Sequence, residues 1–147
     1  VPQRYGATYK ATQVQADKRK STFTANIATA YPAEAEVESW IRSYSLQKGQ
    51  LRISDSFRLT TAKQPNQINF MTWGQVNTEI PGKIQLEVKG KKAFIEYDKQ
   101  QFDVKTEIIP LTDTRLSNVW GKSIYRITLT ATNIYKTGNY SFTIKKQ

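Results

Sequence analysis

Through most of this 147-residue chain, apolar side chains recur at every second position, and Gly, Pro, Asn and Asp interrupt them at short intervals. A strand with one face on a core and the other in water requires that spacing, because successive side chains point to opposite faces. In the longest run Tyr125, Ile127, Leu129 and Ala131 alternate with Arg126, Thr128, Thr130 and Thr132. Helical periodicity is nearly absent. The one segment of good helix formers, Ala33 to Val37, allows a single turn and is too short for a stable helix.

The clearest local signal is a hairpin. Trp40 to Leu46 runs into Lys48-Gly49 and returns as Leu51 to Phe57. A two-residue turn there, with Gly accepting positive φ, sets Leu46 opposite Leu51. Tyr44 then faces Ile53, Arg42 faces Asp55 and Trp40 faces Phe57 on one side, while Ser43, Ser45, Ser54 and Ser56 fall on the other. An ion pair is therefore expected inside an apolar row. It has two readings: a desolvated Arg42–Asp55 pair that fixes the register, or an Arg42 that contacts a substrate carboxylate.

The same pattern places an early strand from Tyr9 and a second with Phe23, Ala25 and Ile27 on its apolar face, beyond the charged turn Asp17 to Lys20. Further strands are expected at Ile68 to Trp73, Ile84 to Val88, Ala93 to Tyr97, Phe102 to Ile109, Tyr125 to Ala131 and Tyr140 to Ile144, with a loop from Leu111 to Gly121. Roughly nine or ten short strands at this spacing predict an all-β antiparallel sandwich, not a closed barrel. With no repeat or low-complexity linker, residues 1–147 read as a single domain. Hydrophobic residues at 38% and aromatics at 12% supply apolar area for one core.

No histidine and no cysteine occurs, which removes Ser-His-Asp and Cys-His catalysis and every His- or Cys-based metal site from the chain's own repertoire. Carboxylates such as Asp17, Asp55, Glu87, Asp103 and Glu107 are scattered, and no pair among them is singled out for glycoside hydrolysis. Glu34, Glu36 and Glu38 read as a solvated face, and no metal or cofactor is expected.

A formal charge of +10 attracts polyanions. The cations cluster at Lys18-Arg19-Lys20, at Lys89 with Lys91-Lys92, and at Lys145-Lys146, each beside a turn or a terminus. Such runs are commonly solvated charge, but turns converging at one end of a sandwich would build a patch for an anionic polysaccharide. No nucleic-acid-binding motif accompanies the charge, so nucleic acid is not expected as a partner. Trp73, Trp120, Tyr31 and Tyr135 could stack on sugar rings or fill the core, and Trp120, in the expected loop, is the hardest to assign to a core. Candidate binding residues are thus Lys18, Arg19, Lys20 and Trp120. No run approaches the ~20 apolar residues that span a bilayer, so membrane insertion is not expected. The opening Val1-Pro2 lacks a methionine, and a processed or longer parent chain is expected, with any export signal upstream.

Several blocks resemble the C-terminal β-sandwich region of heparinase II/III-type polysaccharide lyases. They are Gly6-Ala7-Thr8-Tyr9-Lys10-Ala11, Ala30-Tyr31-Pro32-Ala33-Glu34-Ala35 leading to Trp40-Ile41-Arg42, Ile53-Ser54-Asp55-Ser56-Phe57, and Pro110-Leu111-Thr112-Asp113 through Val119-Trp120-Gly121 to Tyr125-Arg126-Ile127. The resemblance implies a parent enzyme with an N-terminal α/α toroid, a periplasmic or secreted location, and β-elimination of uronic-acid-containing polysaccharide. In similar enzymes the base and the carboxylate-neutralising groups come mainly from the toroid, and a His comes from the early sandwich. This chain has no such His, so no catalytic residue is carried over. Two classes stay open: a non-catalytic lyase portion lining the substrate cleft, or an autonomous carbohydrate-binding module for anionic polysaccharide. An exposed apolar face or unpaired edge would favour the first, a self-contained surface with a cationic groove the second.

Overall fold

A computed structural model describes residues 1–147. In it β3 (Val37–Gln47) and β4 (Gln50–Leu59) are joined by Lys48 and Gly49, with φ of 50° and 74°. Two successive positive φ values are the mark of the type I′ turn, whose twist matches that of the flanking strands. The register follows as expected: Leu46 pairs with Leu51, Tyr44 with Ile53, Arg42 with Asp55 and Trp40 with Phe57. Lys89 and Gly90, at 50° and 75°, join β7 (Lys83–Val88) to β8 (Lys91–Tyr97) in the same way.

The remaining strands are β1 (Thr12–Asp17), β2 (Thr22–Asn26), β5 (Gln67–Thr72), β6 (Gln75–Ile80), β9 (Phe102–Pro110), β10 (Ser123–Ala131) and β11 (Thr137–Lys146). An eight-stranded sheet runs β1-β2-β3-β4-β11-β8-β7-β6 and a three-stranded sheet runs β5-β10-β9. The sheets are antiparallel and the fold is all-β and sandwich-like. The chain divides into two compact units, residues 1–64 with 134–143 and residues 65–133 with 144–147.

In the first unit Trp40 of β3 and Ile53, Phe57 and Leu59 of β4 are buried with Ala25 of β2 and with Tyr140 and Phe142 of β11, while Leu46, beside the turn, is exposed. Phe57 lies between two rings, stacked on Trp40 at 5.0 Å and tilted against Tyr140 at 4.9 Å between centroids. The stack leaves Trp40 Nε1 buried without a hydrogen-bond partner, a local cost of ~1–3 kcal/mol. Gly138 is where Phe57 needs room, since a Cβ there would stand 2.8 Å from Phe57 Cζ. Gly138→Ala is therefore expected to destabilise by about 1–3 kcal/mol through overpacking, read as a lower denaturation midpoint. An unchanged midpoint would show that the ring can step aside at no cost.

In the second unit Ile127, Leu129 and Ala131 of β10 share a buried face with Ile68 of β5 and Phe102 of β9, their registered partners. Ile84 of β7 and Ile95 of β8 face each other and are also fully buried.

Four expectations change. The strands number eleven, because β6 was not anticipated: Gln75-Val76-Asn77-Thr78-Glu79-Ile80 carries too few apolar residues to announce a strand. The early strand begins at Thr12, and Gly6 to Tyr9 form a turn closed by Tyr9 N donating to Gly6 O. β2 ends at Asn26, so Ile27 lies beyond it, and Phe23 is 41% exposed. Finally, the expected loop from Leu111 to Gly121 holds a helix, α1 (Thr114–Trp120). Its signal was Asp113, whose carboxylate accepts from Arg115 N at 2.8 Å as an N-cap. Ala33–Ala35 forms a single 3₁₀ turn.

Candidate functional site

Arg42 and Asp55 are brought together by the hairpin register. Arg42 Nε and Nη2 donate to Asp55 Oδ1 and Oδ2, both at 2.7 Å, in the two-pronged geometry that guanidinium and carboxylate favour. The Asp55 side chain has no exposure, whereas that of Arg42 keeps 23%. Burial works against the Arg42 charge, but the hydrogen bonds and charge of Asp55, with Tyr44 beside it, outweigh burial and raise its pKa above the ordinary value. A substrate carboxylate would have to displace a fully buried partner from this fork, which favours a structural role for the pair. Tyr31 adjoins it. Burial raises the Tyr31 phenol above its usual range, the Arg42 charge pulls it back, and Asp55 pushes it up. A phenol held neutral in this way is poorly placed to serve as a general base near neutral pH.

Lys18, Arg19 and Lys20 occupy the turn between β1 and β2, all exposed. The turn forms because Asp17 Oδ1 accepts from Arg19 N at 2.9 Å and Lys20 N at 3.2 Å, the local bonding that makes Asp a turn residue. Leu46 N donates to Ser21 O at 2.9 Å, which sets this turn beside the Lys48-Gly49 turn within the first unit. The other basic clusters are differently engaged: Lys145 pairs with Glu96 at 2.6 Å, and Lys89 Nζ lies 5.9 Å from the ring centre of Trp73. Glu36 bonds Thr61 and Lys63, and the Thr61 hydroxyl first and Lys63 second hold its carboxyl below the usual carboxylate range. No group of three or more His, Cys, Asp or Glu is arranged to hold a metal ion.

Trp120 is the last residue of α1, in the second unit, and is 48% exposed. Sequence reasoning missed its surroundings. Along β9 the face shared with Phe102 and Val104 leads to Ile108, which is 60% exposed although it pairs with Tyr125 of β10. The chain then turns through Leu111, whose N donates to Lys122 O at 2.8 Å, and α1 exposes Leu116 and Val119 as well as Trp120. Ile108 of β9 and Leu116, Val119 and Trp120 of α1 are thus all exposed within this unit. β9 also remains an edge strand, pairing with β10 alone within its sheet. The alternation of β9 was readable, but its fading burial depends on what packs over it.

No protein-family model matches the chain, and no curated protein matches it in sequence. Among solved structures, heparan sulfate lyase HepC from Pedobacter heparinus is similar with a TM-score of 0.65 at 10% identity, over 93% of this chain and 22% of that one. A mutant of HepC gives 0.66 at 10% identity with the same coverage. The chain thus spans 22% of the length of these lyases. At this identity the likeness is one of fold: the β-sandwich of this chain resembles a portion of HepC that makes up 22% of that chain.

Proposed function

We propose that the chain is the non-catalytic C-terminal β-sandwich portion of a heparinase II/III-like lyase acting on uronic-acid-containing polysaccharide by β-elimination. It supports an N-terminal catalytic toroid of the same parent chain and lines the substrate cleft, in a periplasmic or secreted enzyme. The observation that carries this reading is the match of 93% of the chain to only 22% of HepC, which leaves most of such an enzyme outside the matched portion. The exposed apolar side chains Ile108, Leu116, Val119 and Trp120 and the unpaired edge of β9 support it, because uncovered apolar surface and unpaired edges are common signs of a missing partner surface. Elimination needs a base, a group that neutralises the uronate carboxylate and an acid for the leaving oxygen. On this reading those groups come from the toroid, while Arg42 is held by Asp55.

The isolated chain, incubated with heparan sulfate and with other uronate polymers, is expected to form no unsaturated product, read by ultraviolet absorbance. Formation of that product by the pure chain would overturn the non-catalytic assignment. The parent-chain assignment has its own test. The reading frame upstream should encode long amphipathic helices, and joining them to this chain should protect Val119 and Trp120 from solvent in hydrogen-exchange or footprinting measurements. An upstream region without helices would end it.

A further inference from the structure

We propose that the polar face of β1 to β4, together with the two turns at its end, is a binding site for a linear polysaccharide bearing sulfate or carboxylate groups. The site is built from this chain's own residues and is independent of the docking of a toroid. The register builds the surface. Thr24, Ser43 and Ser54 form one row across β2, β3 and β4, and Thr22, Ser45 and Arg52 form the next. Thr24 Oγ1 and Ser43 Oγ lie 3.1 Å apart, so the rows are real side-chain neighbours. These residues alternate with the buried Ala25, Ile53, Asp55 and Phe57 and so occupy the opposite face.

At the end of that face the two turns add Lys18, Arg19, Lys20 and Lys48 to Arg52, all exposed. Only Lys20 has an ion-pair partner, Asp17 at 4.0 Å, so the cluster keeps nearly all of its positive charge. Hydroxyls that both donate and accept match sugar hydroxyls, and guanidinium and ammonium groups match sulfate or carboxylate. The rows carry no aromatic ring, the feature single-stranded nucleic acid binders use to stack bases. Insertion into a lipid surface needs a broad apolar face; in the registered polar rows of β2, β3 and β4 the one large exposed apolar side chain is Ile41, and the exposed Phe23 and Leu46 alternate onto the opposite face.

The test is titration calorimetry of the whole chain with dextran sulfate, polygalacturonate and neutral dextran. Binding is expected for one or both polyanions and not for dextran, weakening as salt shortens the ~10 Å screening length found at 0.1 M. The two polyanion arms decide between sulfate and carboxylate. Arg19→Glu with Arg52→Glu, one change in the β1–β2 turn and one on β4 beside the Lys48-Gly49 turn, is expected to weaken binding by about tenfold, since each exposed charge contact contributes modestly. Lys91→Glu with Lys92→Glu makes the same change of net charge in the second unit and is expected to alter binding less than about twofold. Unchanged tryptophan fluorescence checks that each variant is folded, and Arg19→Gln with Arg52→Gln replaces the first pair if it is not. Three results overturn the proposal: no polyanion binding, equal weakening by both double variants, or tighter binding to single-stranded DNA or phosphatidylserine vesicles than to either polyanion.

Discussion

Asp55→Ala is expected to destabilise the first unit by about 3 kcal/mol, the lower part of the ~3–5 kcal/mol range for breaking a buried ion pair. The lower part applies because the variant strands Arg42, whose side chain keeps 23% exposure and can turn its charge toward water. Arg42→Met is expected to cost more, since the abandoned Asp55 carboxylate has no exposure at all. Replacing both, as Arg42→Met with Asp55→Leu, should cost less than either single change, because two apolar groups leave no uncompensated charge. Trp40 pairs with Phe57 on the same hairpin, and in a background carrying Trp73→Phe and Trp120→Phe its fluorescence during denaturant unfolding reports this unit. An unchanged midpoint for Asp55→Ala would mean that the pair fixes nothing, and would return Arg42 to the list of substrate contacts.

Phe57→Ala should lower stability by about 3–5 kcal/mol, the range for emptying a large aromatic site in a core. Phe57 is 3% exposed and supports two other rings, so its loss leaves both Trp40 and Tyr140 facing a void. Phe57→Leu keeps most of the volume and should cost about 1.5 kcal/mol or less. It also removes the Cζ atom that stands against Gly138. The penalty of Gly138→Ala should therefore shrink in the Phe57→Leu background, a coupling that a double-mutant cycle measures directly. Additive losses would show that the close approach of ring and backbone is energetically neutral.

These two predictions draw on features of different legibility. The Arg42–Asp55 pairing was readable because Lys48-Gly49 admits a short hairpin turn and every later partner then follows by counting. The Phe57–Gly138 contact was not, since Gly138 lies on β11, far along the sequence, and nothing local requires β11 to approach β4. The same divide runs through the functional surfaces. Lys18, Arg19 and Lys20 stood out as a run, whereas Arg52 joins them only because β2, β3 and β4 align Thr22, Ser45 and Arg52. Helix α1 was hidden by its seven residues, Thr-Arg-Leu-Ser-Asn-Val-Trp, which include several of modest helix propensity and are held by a cap and by packing.

Local stereochemistry in the sequence was enough to determine that this protein is made of antiparallel strands, which residues of the Trp40–Phe57 hairpin meet, and that His- and Cys-based chemistry is not its own. The tertiary structure alone decided which apolar side chains remain uncovered, so that Leu129 is buried while Ile108 and Val119 meet solvent. The reason is physical. Alternation assigns a side chain to one face of a strand, but burial of that face depends on the distant segments laid over it, and a strand's own residues do not encode them.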